Sequence, residues 1–233
     1  FTDEIMLCNF IKSLFVVICL LNMSLSYAGV IIGGTRVIFN SDRADETFSI
    51  FNKETNVPYL IQVWVEPFDK KETTPPPFTA IPPVSRLEPQ QEKILRIIKT
   101  KGALPEDRES VFWLNIKNIP PSGSSADSNT MEIAIKTRIK LFWRPVALNM
   151  TPEKAYMKVK WQRVGNHLQI ENPAPIHINV MDVFVDGKEI PLNMLKPFEK
   201  LALPLPAGAA GKALRWRFIN DYGAISEPLN LSL

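Results

Sequence analysis

Cysteine is confined to Cys8 and Cys19, both within the first 28 of the 233 residues. Residues 29–233 therefore have no disulfide and no thiolate metal site, and their fold must rest on hydrophobic cores alone. Histidine is as scarce: His167 and His177 are the only two, and neither sits in an HExxH spacing. A GxSxG turn, a P-loop and a GxGxxG turn after a strand are all missing. A metal site needs three or four converging ligands, and none can be assembled. His177 lies in an apolar alternating run and reads as a packed or edge-facing histidine. Asp182 and Asp186 flank a hairpin and read as solvated acids of a turn. No cofactor, metal or small-molecule substrate is expected, and the chain reads as non-enzymatic. Charge of one sign is lacking too. The first 28 residues hold one Lys, one Asp and one Glu, so residues 29–233 carry 26 Lys+Arg against 22 Asp+Glu. That mild excess, without a polybasic block, excludes a nucleic-acid partner.

Long hydrophobic runs are absent except near the start, where Lys12 precedes the apolar stretch from Leu14 to Leu21. Ser26-Tyr27-Ala28 then offers a small-x-small cleavage signal. The run is short of the ~20 apolar residues of a membrane span. Residues 1–28 thus read as a signal peptide, with Gly29 as the mature N-terminus; an uncleaved anchor is the alternative. Asp3 and Glu4 do not suit a basic leader, which points to Met6 as the translation start.

What is there is proline, 20 residues against 10 glycines, punctuating short apolar runs. That favours strands and turns over long helices. Expected strands are Val30–Phe39, broken near Gly33-Gly34, then Thr47–Phe51, Tyr59–Val65, Phe78–Ile81, Lys93–Ile98 and Val111–Ile116. Pro120–Asn129 reads as a Ser/Gly-rich loop. Beyond a boundary near residues 148–152 come Met157–Arg163, His167–Glu171, Ile176–Val185, Glu199–Leu203, Leu214–Asn220 and Leu229–Leu233. Asp186-Gly187 is a hairpin turn. Strands at this spacing point to immunoglobulin-like sandwiches.

The most informative segment runs from Met131 to Trp143. Its odd positions are apolar except Thr137, and its even positions are mostly charged. Such period-two patterning predicts one strand of up to ~43 Å. A sheet edge of that length is normally blunted, because free N–H and C=O groups invite pairing. Met131, Ile133 and Ile135 follow a polar loop and should project near the domain rim. Two readings stand: ordinary core residues of a final sandwich strand, or a strand built to pair with another chain.

Blocks along residues 29–233 resemble the periplasmic pilus chaperones of the PapD-like family. They are Thr35-Arg36, Pro58-Tyr59-Leu60-Ile61-Gln62, Pro82-Pro83, Arg86-Leu87, the Asp107–Trp113 run beginning DRES, Ile119-Pro120-Pro121, Arg138–Pro145, Glu171–Pro175 and Ile219–Gly223. The resemblance implies an all-β protein of two immunoglobulin-like β-sandwich domains set at an angle with a cleft between them. Its units are residues 29–147 and 148–233. It also implies pilin subunits and an outer-membrane usher as partners, in the periplasm of a Gram-negative cell. Arg36 and Lys140 match the family's anchor for a subunit's C-terminal carboxylate. Met131, Ile133 and Ile135 match the stripe that fills the subunit's groove by donor-strand complementation. Glu109, Arg144 and Asp221 match its interdomain ion network. Strict alternation sets Lys140 on the face opposite Met131, so the anchor needs a bulge, added twist or a cleft that both faces reach. The short Pro120–Asn129 loop and the lack of cysteine resemble the short-loop subfamily, whose clients are rigid rod-like pili. Self-capping by a homodimer stays open, as does a structural or adhesive surface protein of the same fold.

Overall fold

The structure is a computed structural model and describes residues 29–121 and 133–233. In the first domain the strands are β1 (Val30–Ile32), β2 (Arg36–Asn40), β3 (Asp45–Asn52), β4 (Tyr59–Pro67), β5 (Phe78–Ile81), β6 (Val84–Leu87), β7 (Glu92–Lys99), β8 (Ser110–Ile119) and β9 (Ile135–Arg144). They form two sheets in the orders β1-β3-β7-β5 and β2-β9-β8-β4-β6. The expected break at Gly33-Gly34 is where the chain leaves one sheet for the other: β1 pairs antiparallel with β3, and β2 pairs parallel with β9. Gly33 donates its N–H to the Ser49 carbonyl at 2.8 Å. A Cβ there would collide with the Ser49 side chain, so only glycine lets the crossing hug β3. Pro82-Pro83 follows β5, which keeps the limits expected from the sequence; β6, the four residues after the prolines, was not expected.

Between the two sheets Phe39, Ile50, Ile61, Leu95, Leu114 and Leu141 are fully buried. At one end Phe39, Phe78, Phe112 and Trp143 stack with ring centroids 5.2–6.1 Å apart. Along most of these strands core residues alternate with more exposed ones, so period two in the sequence becomes one inward face per strand.

The second domain opens with a short helix, α1 (Pro152–Tyr156), and the strand expected over Met157–Arg163 begins only at Lys160. Thr151 caps it by accepting the Lys154 N–H, and Pro152 sits in the first turn, where no N–H is missed. Ala155 and Tyr156 are buried, while Met157 stays exposed. Then follow β10 (Lys160–Val164), β11 (His167–Glu171), β12 (Ile178–Val185), β13 (Lys188–Glu189), β14 (Met194–Leu195), β15 (Lys200–Pro204), β16 (Ala213–Ile219) and β17 (Leu229–Ser232). One sheet is β10-β11-β15; the other is β13-β12-β16-β17, with β14 also on β12. Trp216 is fully buried in this core, with ring centroids 4.2 Å from Tyr156 and 4.9 Å from Trp161. Asp186 and Gly187, both at positive φ, make the β12–β13 turn. The two acids there are less solvated than expected: Asp182 pairs with Arg217 across β12 and β16, and Asp186 accepts the Gly211 and Ala213 N–H groups.

Leu141 lies mid-strand in the first core with 0% exposure, so Leu141→Ala is expected to lower the unfolding free energy by about 2–5 kcal/mol in urea titrations.

Candidate functional site

Strand β9 is held over its whole length on one side and over half of it on the other. Its ladder with β8 runs without a register shift from Ile135 opposite Asn118 to Trp143 opposite Ser110. On the other side, β2 reaches only Lys140–Arg144. Among the described residues, no strand pairs with the edge Ile135–Ile139 on that side. Its N–H and C=O groups are a template for an added strand.

Exposure along the apolar face falls steadily toward the C-terminal end: Ile133 63%, Ile135 57%, Ile139 7%, Leu141 0%. The same face that seals the core at Leu141 therefore projects past the rim at Ile133 and Ile135. Ile133 precedes the strand, which begins at Ile135 and is shorter than the sequence pattern suggests. Met131 lies outside the described residues, as do positions 122–129 of the expected loop.

The other face of β9 carries Lys136, Arg138, Lys140, Phe142 and Arg144. Lys136 and Arg138 reach Glu66 on β4, at 3.5 and 2.9 Å. With no bulge in the β8 ladder, Lys140 does face away from Ile133 and Ile135. It points toward the second domain, and Arg36 is its direct Cα partner across the parallel ladder. Two cations thus sit side by side where the unpaired edge ends. Burial, and secondarily Arg36, push the Lys140 ammonium down to about 8. Burial also lowers Arg36, partly offset by Asp221. Both cations are short of compensating negative charge, and a carboxylate would supply it.

Next along the strand, Phe142 is 1% exposed yet faces away from its own core. It is covered at the domain junction, where its ring lies 5.6 Å from that of His177. Arg144 bridges the domains. Its Nε donates to Glu109 Oε1 at 2.7 Å, and its two terminal nitrogens donate to Asp221 at 2.5 and 2.9 Å. Burial opposes the Arg144 charge, but the two carboxylates overcome it and raise its pKa. The Glu109 side chain is wholly buried and also accepts the His177 N–H and the His177 ring Nδ1, each at 2.8 Å. The Glu109 N–H in turn donates to the Pro175 carbonyl at 2.8 Å. Asp221 lies in a tight turn in which the Gly223 N–H donates to the Asn220 carbonyl at 3.1 Å; Gly223 has φ +84°, and a Cβ there would come within 2.7 Å of Thr35 Oγ1. The glycine lets this turn approach the first domain beside Arg36.

The profile described as pili and flagellar-assembly chaperone, PapD N-terminal domain, matches residues 29–149. That of the pili assembly chaperone PapD C-terminal domain matches residues 154–229. This chain belongs to the PapD-like pili-assembly chaperone family. Its relatives include the probable fimbrial chaperone LpfB of Escherichia coli O157:H7, 36% identical over 93% of this chain and 95% of that protein. The chaperone protein FimC of Escherichia coli K12 is 36% identical over 85% and 82% of the two chains. Among solved structures, the Salmonella enterica SafB chaperone in complex with the SafA pilin superposes with a TM-score of 0.79. It has 34% identity and covers 90% of this chain and 99% of that one. The E. coli chaperone DraB gives a TM-score of 0.75 at 38% identity, covering 88% and 96%.

As a pilus-assembly chaperone the protein is not an enzyme, and a structural or adhesive surface role is set aside. Among the described residues no group of three or more His, Cys, Asp or Glu clusters as metal ligands do. Within this family fold, Arg36 comes together with Lys140, and Glu109 with Arg144 and Asp221. Sequence reasoning missed His177 and Asn179 as members of the junction. Both lie on the outward face of the segment entering β12 and are nonetheless buried, at 5% and 8% exposure. The available signal was Phe142, the one large apolar residue at an even position of the alternating segment. An apolar residue on the charged face marks where something covers it.

Removing Glu109 would strand Arg144 and the His177 donors at a buried junction. Glu109→Ala is expected to cost about 3–5 kcal/mol in chemical denaturation, and a loss below about 1 kcal/mol would contradict the role assigned to this network.

Proposed function

We propose that this chaperone is exported to the periplasm, captures pilin subunits there by donor-strand complementation, and delivers them to an outer-membrane usher. In this reading residues 1–28 are a removed leader, and 29–147 and 148–233 are the two working domains. The observation that carries the proposal is the half-bare strand β9, which ends at paired cations. A guest strand that continues the line of β2 would lie along Ile135–Ile139. With its terminal carboxylate at Arg36 and Lys140, it would run in the same direction as β9. Direction and register would both follow from where the carboxylate stops. The solved SafB–SafA complex is a chaperone holding a pilin on the same fold.

Energy and register come from different groups. Ile133 and Ile135, with Met131 ahead of them, would fill an incomplete apolar groove in the guest. Each buried side chain is worth about 1.5–3 kcal/mol before ordering costs. The backbone edge adds ladder hydrogen bonds that are indifferent to guest sequence, a form of β-augmentation. Arg36 and Lys140 select a chain end, because an internal peptide has no main-chain carboxylate to offer in line with the strand. Glu109, Arg144 and Asp221 hold the second domain against this face. The short loop at residues 120–129 supports assignment to the short-loop subfamily with rod-like clients.

Arg36→Ala and Lys140→Ala are expected to abolish co-purification of a pilin while leaving the melting temperature near wild type. Ile133→Asp should weaken capture with the free protein equally stable. Wild-type yields of complex from the anchor variants, or a large melting-temperature loss in Ile133→Asp, would sink the proposal.

A bound carboxylate raises the Lys140 pKa above its free value of about 8. Affinity for a guest tail is therefore full below pH 8 and declines as pH rises through that value toward the bound-state pKa. Arg36 is the charge that acts on Lys140, and a guanidinium keeps its proton throughout that range. Isothermal titration across pH 6.5–9.5 (about three units centred on that value) should show the decline, and Lys140→Arg should remove it.

A further inference from the structure

We infer that Asn179 is a positioning residue for the anchor, an uncharged acceptor supplied by the second domain that aims the Lys140 ammonium without neutralising it. This inference rests on the reading of Arg36 and Lys140 as the carboxylate anchor. Asn179 Oδ1 accepts from Lys140 Nζ at 2.6 Å. Its Cα partner across β12 and β16 is Ile219, whose carbonyl accepts from Arg36 Nη1 at 3.4 Å. One cross-strand pair of the second domain therefore faces one cross-strand pair of the first, and each anchor cation has its own neutral acceptor.

The register of β12 is adjusted to allow this. Val183 and Val185 face the second core, and counting back by twos would put Met181 and Asn179 in that core as well. The ladder with β16 shifts register between Val180 and Asp182. The extra residue, Met181, is left 43% exposed, and Ile178 and Val180 take the buried positions instead. A bulge of this kind re-aims every side chain beyond it. Its consequence here is to turn Asn179 outward onto Lys140.

The chemistry favours an amide over a carboxylate. An ammonium has three donors. Asn179 takes one and leaves two for a guest carboxylate, with the nitrogen already fixed in place. The Asn179 side chain carries no charge, so the positive potential that attracts the guest is kept. An aspartate at this position would make an ion pair with Lys140 and compete with the guest for the same cation. The guanidinium of Arg36 is treated alike: a backbone carbonyl orients it and leaves most of its donors free.

The test uses the full chain and a peptide copying the C-terminal segment of a pilin that the wild-type protein captures, made with a free or an amidated C-terminus. The readout is the ratio of the two affinities. Asn179→Ala is expected to lower affinity for the free-acid peptide by about threefold to tenfold, as for one lost hydrogen bond, and to leave the amidated peptide unaffected. Asn179→Asp should go further and bring the ratio to about one, because its own carboxylate satisfies Lys140. Its melting temperature should not fall, since the new charge lies beside two cations. A wild-type preference for the free acid that survives unchanged in Asn179→Asp overturns the inference alone. Equal loss for both peptides in Asn179→Ala does so too, because it reports a general structural role. A wild-type protein indifferent to amidation overturns the anchor itself.

Discussion

Strand β2 has five residues and its parallel partner β9 has ten. The unequal pairing of these two strands is the constraint from which the rest of the site follows. Because β2 begins opposite Lys140, the edge of β9 before that point lacks a partner on that side among the described residues. Because the ladder is parallel, any strand added in line with β2 must run the same way. Because Arg36 is the first residue of β2, the bare edge ends at a cation on each strand. A longer β2 would bury the edge and leave the charges as ordinary members of a sheet.

The two faces of β9 are divided between two tasks by simple alternation. One face begins as an exposed apolar stripe and ends in the first core. The other begins as cations tethered to Glu66 and ends beneath the second domain, at Phe142 and Arg144. No bulge is needed in β9, because the junction reaches the anchor from the charged face while the apolar face projects past the rim. The register shift lies in β12, where it serves Asn179. The buried Glu109–Arg144–Asp221 network, with His177, sits two same-face positions beyond the anchor, past Phe142. A buried ion network of this kind adds little net stability but makes wrong arrangements costly. Its placement next to Lys140 means that the position of the second domain and the aim of the anchor cations depend on the same contacts.

Much of the architecture was legible beforehand. His167–Glu171 and Phe78–Ile81 run as strands at the limits read from the sequence, and Asp186-Gly187 makes the expected turn. These are segments where local preference and burial agree. The misses fall where the two part. Thr151-Pro152 starts a helical turn that caps and buries Tyr156, so the strand expected from Met157 waits until Lys160. The short β6 follows two prolines that read as a stop. Asp182 looked like a turn acid until Arg217 arrived from β16, a neighbour some 35 residues away in the chain.

By itself the sequence determined the alternation of Met131–Trp143, the absence of thiols and catalytic groups from residues 29–233, and the presence of Arg36 and Lys140 in family blocks. Each is a property of the chain read locally, through side-chain period or residue type. Only the tertiary structure decided that Ile133 and Ile135 project while Leu141, on the same face, is sealed. It also decided that Arg36 and Lys140 are direct partners, and that His177 and Asn179 are buried by a domain not their own. Those outcomes depend on where β2 begins and where the second domain lies. Both are set by contacts between residues far apart in the chain, which no local pattern encodes.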